Sequence, residues 1–263
     1  MKKFIFLTGL FLSALMPQSV FALTGEEIAI KVDHRDDGDK GTAKIEMILI
    51  DAQGQKRIRE MQKFEMDVEK DTHSAIFFTA PADVKDSAFL TYDYASSDKD
   101  DDQWLYLPEL HKTKRIVSSD KSNAFMGSDF TYADMTKRVV EDYHYRIVKE
   151  SNVNEQPVWV MEAVPKTEKT RDETGYAKSY MFVRQDNFVV VRAMHMQTDG
   201  KIKYMDVRKL EKIEGIWVAT EIGMTTKKNK VTLHQTLMRF SNIHFNQDFD
   251  ESLFTVHRIE RGL

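Results

Sequence analysis

From Ala43 onward the hydrophobic positions recur at every second residue: Ala43, Ile45, Met47 and Leu49 alternate with Lys44, Glu46 and their neighbours. That period turns one face of a strand toward a core and the other toward water or a second layer. Related patterns return at 57–68, 74–80, 88–94, 103–107 and 114–117. They resume at 143–149, 158–164, 177–184, 188–197, 201–210, 217–225 and 230–240. Turn-forming residues separate them, as at Asp51 to Gly54, Asp186 to Asn187 and Thr198 to Gly200. Connections this short join antiparallel neighbours, because a parallel crossover needs a dozen residues or more. A run of ten or more such strands does not stay flat; strand twist curls or closes it. The expected fold class is mainly β, a curled antiparallel sheet whose concave face must be filled or lined.

Two stretches break the alternation. Thr24, with Glu27 three residues on, forms a capping-box pattern ahead of Ile28, Ile30 and Val32, which predicts a short helix. The second stretch, 121–138, contains AFMGSDFTYADM (124–135), where Phe125, Met126, Phe130, Tyr132 and Met135 surround Gly127, Ser128 and Asp129. It is too short for a membrane span and too apolar for an ordinary surface loop. Asp129 is expected to cap a helix running through Tyr132, Met135 and Thr136, with Gly127 as a flexible joint before it. Laid across the mouth of a curled sheet, these pieces point their apolar faces into the hollow.

Between the two, Trp104 and Tyr106 alternate with Leu105 and Leu107, so both faces of that strand are apolar and both need covering. Lys112, Lys114 and Arg115 follow. A cationic rim beside an apolar hollow suits an amphiphile with a polar or anionic head. The chain has 14 Met, two of them (Met1 and Met16) in the first 22 residues. Met is flexible and polarizable, and it suits surfaces that accept varied apolar partners as well as ordinary core gaps.

The amino-terminal 22 residues carry an address. Lys2 and Lys3 precede an apolar run from Phe4 to Met16, Pro17 breaks it, and Val20 to Ala22 resembles a cleavage site. A signal peptide of residues 1–22, cleaved after Ala22, predicts export to the periplasm. Residues 23–263 then read as a single domain, since 11 Gly and 5 Pro form no linker. No other apolar run is long enough to span a membrane. The whole chain carries a net charge of −4, and Lys2 and Lys3 are the only charges of 1–22, so the remainder is two units more negative. That balance argues against a nucleic-acid partner. With no cysteine, disulfides, thiolate chemistry and a lipid anchor on an amino-terminal cysteine are excluded.

Catalytic and metal motifs are sparse, and no cofactor is implied. The eight His residues show no His-x-x-x-His pair of the zinc-protease type. The acids from Asp98 to Glu109 resemble a calcium loop in spacing, but Gln103 stands where the loop needs Gly. Ser118 and Lys121 match Ser-x-x-Lys without its companion motifs.

The blocks QWLYLP (103–108), KTKRI (112–116) and FMGSDFTYADM (125–135), with a TAKIEM strand start at 42–47, resemble the periplasmic outer-membrane lipoprotein-sorting protein family of the LolA/LolB-like superfamily. The motif positions are Trp104, Tyr106, Leu107, Pro108, Arg115, Ile116, Phe125, Gly127, Ser128, Asp129, Phe130 and Tyr132. The resemblance implies a half-barrel of about ten or eleven strands with short helices forming a lid over a hydrophobic cavity. It implies a non-enzymatic carrier or chaperone holding acyl chains of lipoproteins or other lipids for transfer toward the outer membrane. Its implied partner is an inner-membrane exporter or an outer-membrane receptor. On this reading Trp104, Tyr106, Phe125, Met126, Phe130, Tyr132 and Met135 line the cavity or lid. Lys112, Lys114 and Arg115 form its rim, and Gly127 and Asp129 act as lid hinge and cap. One rival is an adaptor for a resistance-nodulation-division-type exporter or envelope complex, with Phe125, Phe130 and Tyr132 facing a protein. A second is a lipid hydrolase using Ser118 or Ser128.

Overall fold

The computed structural model describes residues 23–263; the expected signal peptide and its cleavage site after Ala22 lie outside the described residues. Thirteen strands follow one another: β1 (Lys40–Asp51), β2 (Lys56–Val68), β3 (Asp71–Ala80), β4 (Ala88–Asp93), β5 (Asp102–Leu107) and β6 (Lys112–Arg115) in the first half. The second half adds β7 (Tyr143–Val153), β8 (Gln156–Pro165), β9 (Tyr176–Arg184), β10 (Val190–Gln197), β11 (Ile202–Ile213), β12 (Ile216–Lys228) and β13 (Val231–Phe245). All belong to one antiparallel sheet in the order β6-β5-β4-β3-β2-β1-β13-β12-β11-β10-β9-β8-β7. Thirteen strands replace the ten or eleven expected. Each hairpin extends the same ladder without interruption, down to the four-residue β6, which pairs with β5 from Trp104–Arg115 to Leu107–Lys112 and, short and cationic, makes an edge that discourages further pairing.

Pairing of β1 with β13 places both ends of the meander at the centre of the sheet. The strands grow outward to β6 on one side and return from β7 on the other. Hence β6 and β7, consecutive in sequence, are opposite edges of an unclosed curl. The 27 residues between them, 116–142, must cross the mouth.

Alternation along the strands separates two faces. On the concave side Met47, Met61, Ile76, Phe78, Phe89 and Leu105 pack with the crossing segment. On the other side Ala75, Phe77 and Leu90 pack with Phe254 and Ile259 from the chain's end. That end forms a 3₁₀ turn (Glu251–Phe254) and a short helix (Val256–Ile259).

The amino-terminal helix α1 (Gly25–Asp33) forms as its capping box predicts. Thr24 Oγ1 accepts the Glu27 N–H at 3.2 Å, and the Glu27 carboxylate accepts the Thr24 N–H at 2.7 Å. Its buried Ile28 and Ala29 meet Tyr143, Tyr145, Met161 and Met181 on the β7–β9 side of the same concave face. The contact is close: a Cβ at Gly25 would lie 2.9 Å from the Tyr145 carbonyl carbon. A second helix, α2 (Glu168–Thr174), joins β8 to β9 and ends on Gly175, whose φ of 73° is the left-handed cap conformation.

Candidate functional site

The crossing segment is a finger laid into the hollow. Phe125 N–H donates to the Phe130 carbonyl at 2.8 Å, Tyr132 N–H to Asn123 O at 3.2 Å and Ala133 N–H to Lys121 O at 2.9 Å. The chain thus runs out to 127–129 and back. Met126 and Gly127, with φ of 48° and 72°, make the reversal, and open space surrounds the Gly127 Cβ position, so its backbone conformation is what favours glycine there. Phe125 is fully buried, 5.1 Å from the Phe89 ring and 5.8 Å from that of Tyr132. Phe130 and Tyr132 are buried beside it, with Met126 and Met135 packed at the margin. The side-chain amide of buried Gln103 donates to Tyr132 O at 2.9 Å.

At the fingertip Asp129 departs from its expected role. It caps no helix; residues 133–135 form only a 3₁₀ turn without a side-chain cap. Its carboxylate instead receives Thr226 Oγ1 at 2.5 Å, Thr236 Oγ1 at 2.7 Å and His234 Nδ1 at 2.7 Å, while its own N–H donates to Thr236 at 2.9 Å. These partners stand on β12 and β13 at the centre of the sheet. Charge-assisted bonds from three side chains outcompete a local helix cap.

Beyond the tip the segment engages the far half. Asp134 accepts the Tyr176 hydroxyl at 2.8 Å and lies 4.0 Å from Lys203. His195 stacks on Tyr176 at 4.6 Å and bonds Ser179 at 2.8 Å. Burial holds the His195 imidazole down at about 4, hence neutral, pushes the Tyr176 hydroxyl well up and draws the Lys203 ammonium down against the pull of Asp134. Next, Lys137 pairs with Asp37 at 3.0 Å, and its N–H donates to Asp93 at 2.6 Å.

Three spaces remain around this path. One of about 180 Å³ lies between the finger and β1–β3, lined by Ile45, Met61, Ile76, Phe130 and Met135. A second, of mixed character and about 310 Å³, runs beside Ala43, Trp217, Phe240 and Phe245, with five charged side chains also on its wall. A third of about 300 Å³ lies beneath α1, lined by Val32, Val140, Tyr145, Met181 and Val190. Lys137 borders the second and third. The finger occupies much of the concave face, so the expected single cavity under a lid is replaced by separate pockets.

The structure divides the residues singled out in the sequence. Phe125, Met126, Phe130, Tyr132 and Met135 come together on the concave side. Trp104 and Tyr106 do not join them. They face outward beneath the carboxy-terminal turn and helix, with Trp104 5.1 Å from the Tyr92 ring. The rim cations Lys114 and Arg115 are paired, Lys114 with Asp120 at 2.8 Å and Arg115 with Asp102, while Lys112 is exposed. Ser128 Oγ accepts the Phe130 N–H at 3.2 Å within the buried turn, and Ser118 Oγ donates to Asp100 at 3.4 Å. Sequence reasoning missed Asp134, Lys137 and Arg138, whose signal was one acid inside the apolar motif and two cations just after it.

A family model for an uncharacterized protein matches residues 70–261. No curated protein matches the chain. Among solved structures, a DUF1329 family protein from Desulfovibrio piger is 26% identical with a TM-score of 0.81, covering 89% of this chain and 97% of its own. A domain from Vibrio parahaemolyticus described as an outer membrane lipoprotein-sorting protein is 29% identical with a TM-score of 0.81, covering 90% and 98%. A LolA superfamily protein from Nitrosomonas europaea shares the fold at 19% identity and a TM-score of 0.68, covering 90% and 99%. The family model spans well over half of the chain and, with the likeness to the first two structures, shows that the chain belongs to a LolA-like family.

Proposed function

We propose that this protein is a periplasmic carrier or chaperone that holds acyl chains of lipoproteins or other lipids against its concave face for transfer toward the outer membrane. The observation that carries the reading is the pair of mainly apolar pockets, of about 300 and 180 Å³, left beside the crossing segment. A buried methylene contributes about 0.8 kcal/mol, so ten give about 8 kcal/mol before ordering costs are subtracted. Such a site requires shape and apolar area and few polar groups, and no catalytic step is needed. The likeness to a lipoprotein-sorting domain supports the same role.

Native mass spectrometry of protein purified from its own periplasm tests it. Retained fatty-acyl mass is expected, and Val190→Asp, which places a charge in the pocket beneath α1, should lower the retained amount severalfold without unfolding the protein. Empty wild-type protein that co-purifies with a membrane protein would overturn the carrier reading in favour of the adaptor. The adaptor draws on one observation, the exposed apolar residues Ile58 on β2 and Val231 and Leu233 on β13.

A further inference from the structure

A pocket of about 360 Å³ lies between the last part of the crossing segment and α2, and the acyl-chain reading leaves its chemistry unused. Basic and acidic residues line it in equal number, five of each. Several are matched. Lys169 pairs with Asp100 at 2.5 Å, Asp134 takes the Tyr176 hydroxyl, and Asp101 accepts the Tyr94 N–H at 3.0 Å.

Three lack an ion pair among the described residues. Lys121 is only 5% exposed, yet its ammonium has neither a hydrogen bond nor an ion pair within 4 Å. Glu173 Oε1 is buried without a partner. Arg138 donates to Met181 Sδ at 3.0 Å and Ser179 Oγ at 3.4 Å and lies 4.6 Å over the Tyr143 ring, with no carboxylate. A guanidinium has five donors and suits an oxyanion better than a thioether. Lys121 and Glu173 both line this one pocket. The buried Glu173 Oε1, without a hydrogen bond, costs free energy as it stands. A ligand of one sign would satisfy one of the two side chains and repel the other.

Lys137 and Arg138 line this pocket and also the apolar pocket beneath α1. The polar and apolar spaces therefore meet at these two side chains.

We infer that this pocket receives the headgroup of a zwitterionic amphiphile, with its phosphate or carboxylate facing Lys121 and Arg138, its ammonium facing Glu173, and its tail passing beneath α1. The placement of the tail rests on the acyl-binding reading; the headgroup site does not.

Two probes separate the two. Phosphoethanolamine, compared with inorganic phosphate, reads the headgroup site alone by amide shifts around Lys121, Arg138 and Glu173. Short-chain phosphatidylethanolamine, compared with phosphatidylglycerol of the same chain length, reads head and tail together. The wild type is expected to prefer the ethanolamine lipid by about tenfold, the size of one charged hydrogen bond. Glu173→Gln should erase that preference while acyl capture persists, and Lys121→Met should weaken both lipids. Should Lys121→Met fail to fold, Glu173→Gln decides alone. Equal binding of both lipids by the wild type, with no response to phosphoethanolamine, would overturn the inference and leave the carrier reading standing. Response to phosphoethanolamine without capture of either lipid would overturn the lipid as source and point to a free zwitterion.

Discussion

The two halves of the concave face are built from the same antiparallel sheet and end differently. Over β1–β5 and β12–β13 the finger presses Phe125, Phe130 and Tyr132 into the strands, and Asp129 is bonded to three side chains at the sheet centre. Over β7–β10 the cover is α1 and the last residues of the segment, and about 300 Å³ stays open beneath the helix. The difference shows that the sheet does not set how full its hollow is. A curl this wide needs an insert, and the chain supplies one that is anchored by buried polar bonds on one side and stops short on the other. The half under the finger is held by buried aromatic and polar contacts yet keeps spaces of about 310 and 180 Å³ beside the insert, and the other half is covered by α1 with about 300 Å³ beneath it.

Phe125→Ala should have the largest effect on the half under the finger. The side chain has no exposed surface and meets Phe78, Phe89 and Tyr132. Truncation should cost about 3–5 kcal/mol, the range for a buried Phe replaced by Ala. Val190→Ala, on the border of the open pocket, should cost about 1 kcal/mol or less, since little packing closes over it. Denaturant titration of both variants reads the contrast. Similar losses at the two positions would show that the halves are equally packed.

Next in size is Asp129→Asn. The carboxylate accepts from Thr226, Thr236 and His234; an amide keeps one acceptor oxygen and adds two donors facing donors. A loss of about 2–3 kcal/mol is expected from the buried groups left without partners. The same titration checks it. A loss below about 0.5 kcal/mol would mean that the finger is held by its aromatic residues alone.

Much of this was legible along the chain, and what was not has a physical cause. Every-second-residue alternation located the strands, because each residue's face follows from the pleat. Thr24 and Glu27 announced α1, because both partners of a capping box lie within one turn. The run from Phe125 to Tyr132 read as inward-facing and its aromatic residues are buried. The Asp129 helix cap failed because the winning partners are 97 and more residues away. Trp104 and Tyr106 were rightly read as lying on a strand covered on both sides, but alternation cannot say which side is concave. The outer cover itself left a trace, Phe249, Leu253, Val256 and Ile259 at three- and four-residue spacing, next to a strongly charged stretch that masks it.

The smallest effect concerns the join between the halves. Asp93 accepts the Lys137 N–H where the segment passes from the side under the finger to the side under α1. Burial, reinforced by neighbouring Asp101, pushes the Asp93 carboxyl up to about 7 from the ordinary 3.8, against the bond from Lys137 and the pull of its ammonium. Between those values the folded protein holds a proton that the unfolded chain releases. Stability should therefore fall as pH rises from about 4 to about 7 and level off above. His195, held at about 4 against an ordinary 6.5, slopes the opposite way, adding stability as pH rises through the same range. Raw melting curves mix the two. The difference between Asp93→Asn and the wild type cancels the histidine contribution and isolates the carboxyl. Asp93→Asn should match the wild type near pH 4 and exceed it by about 1–2 kcal/mol at pH 8, a figure discounted for the screening of a partly exposed group. Melting temperatures of both proteins from pH 4 to 8 decide it. A constant offset across that range would show that Asp93 is not the group whose ionisation loosens the join.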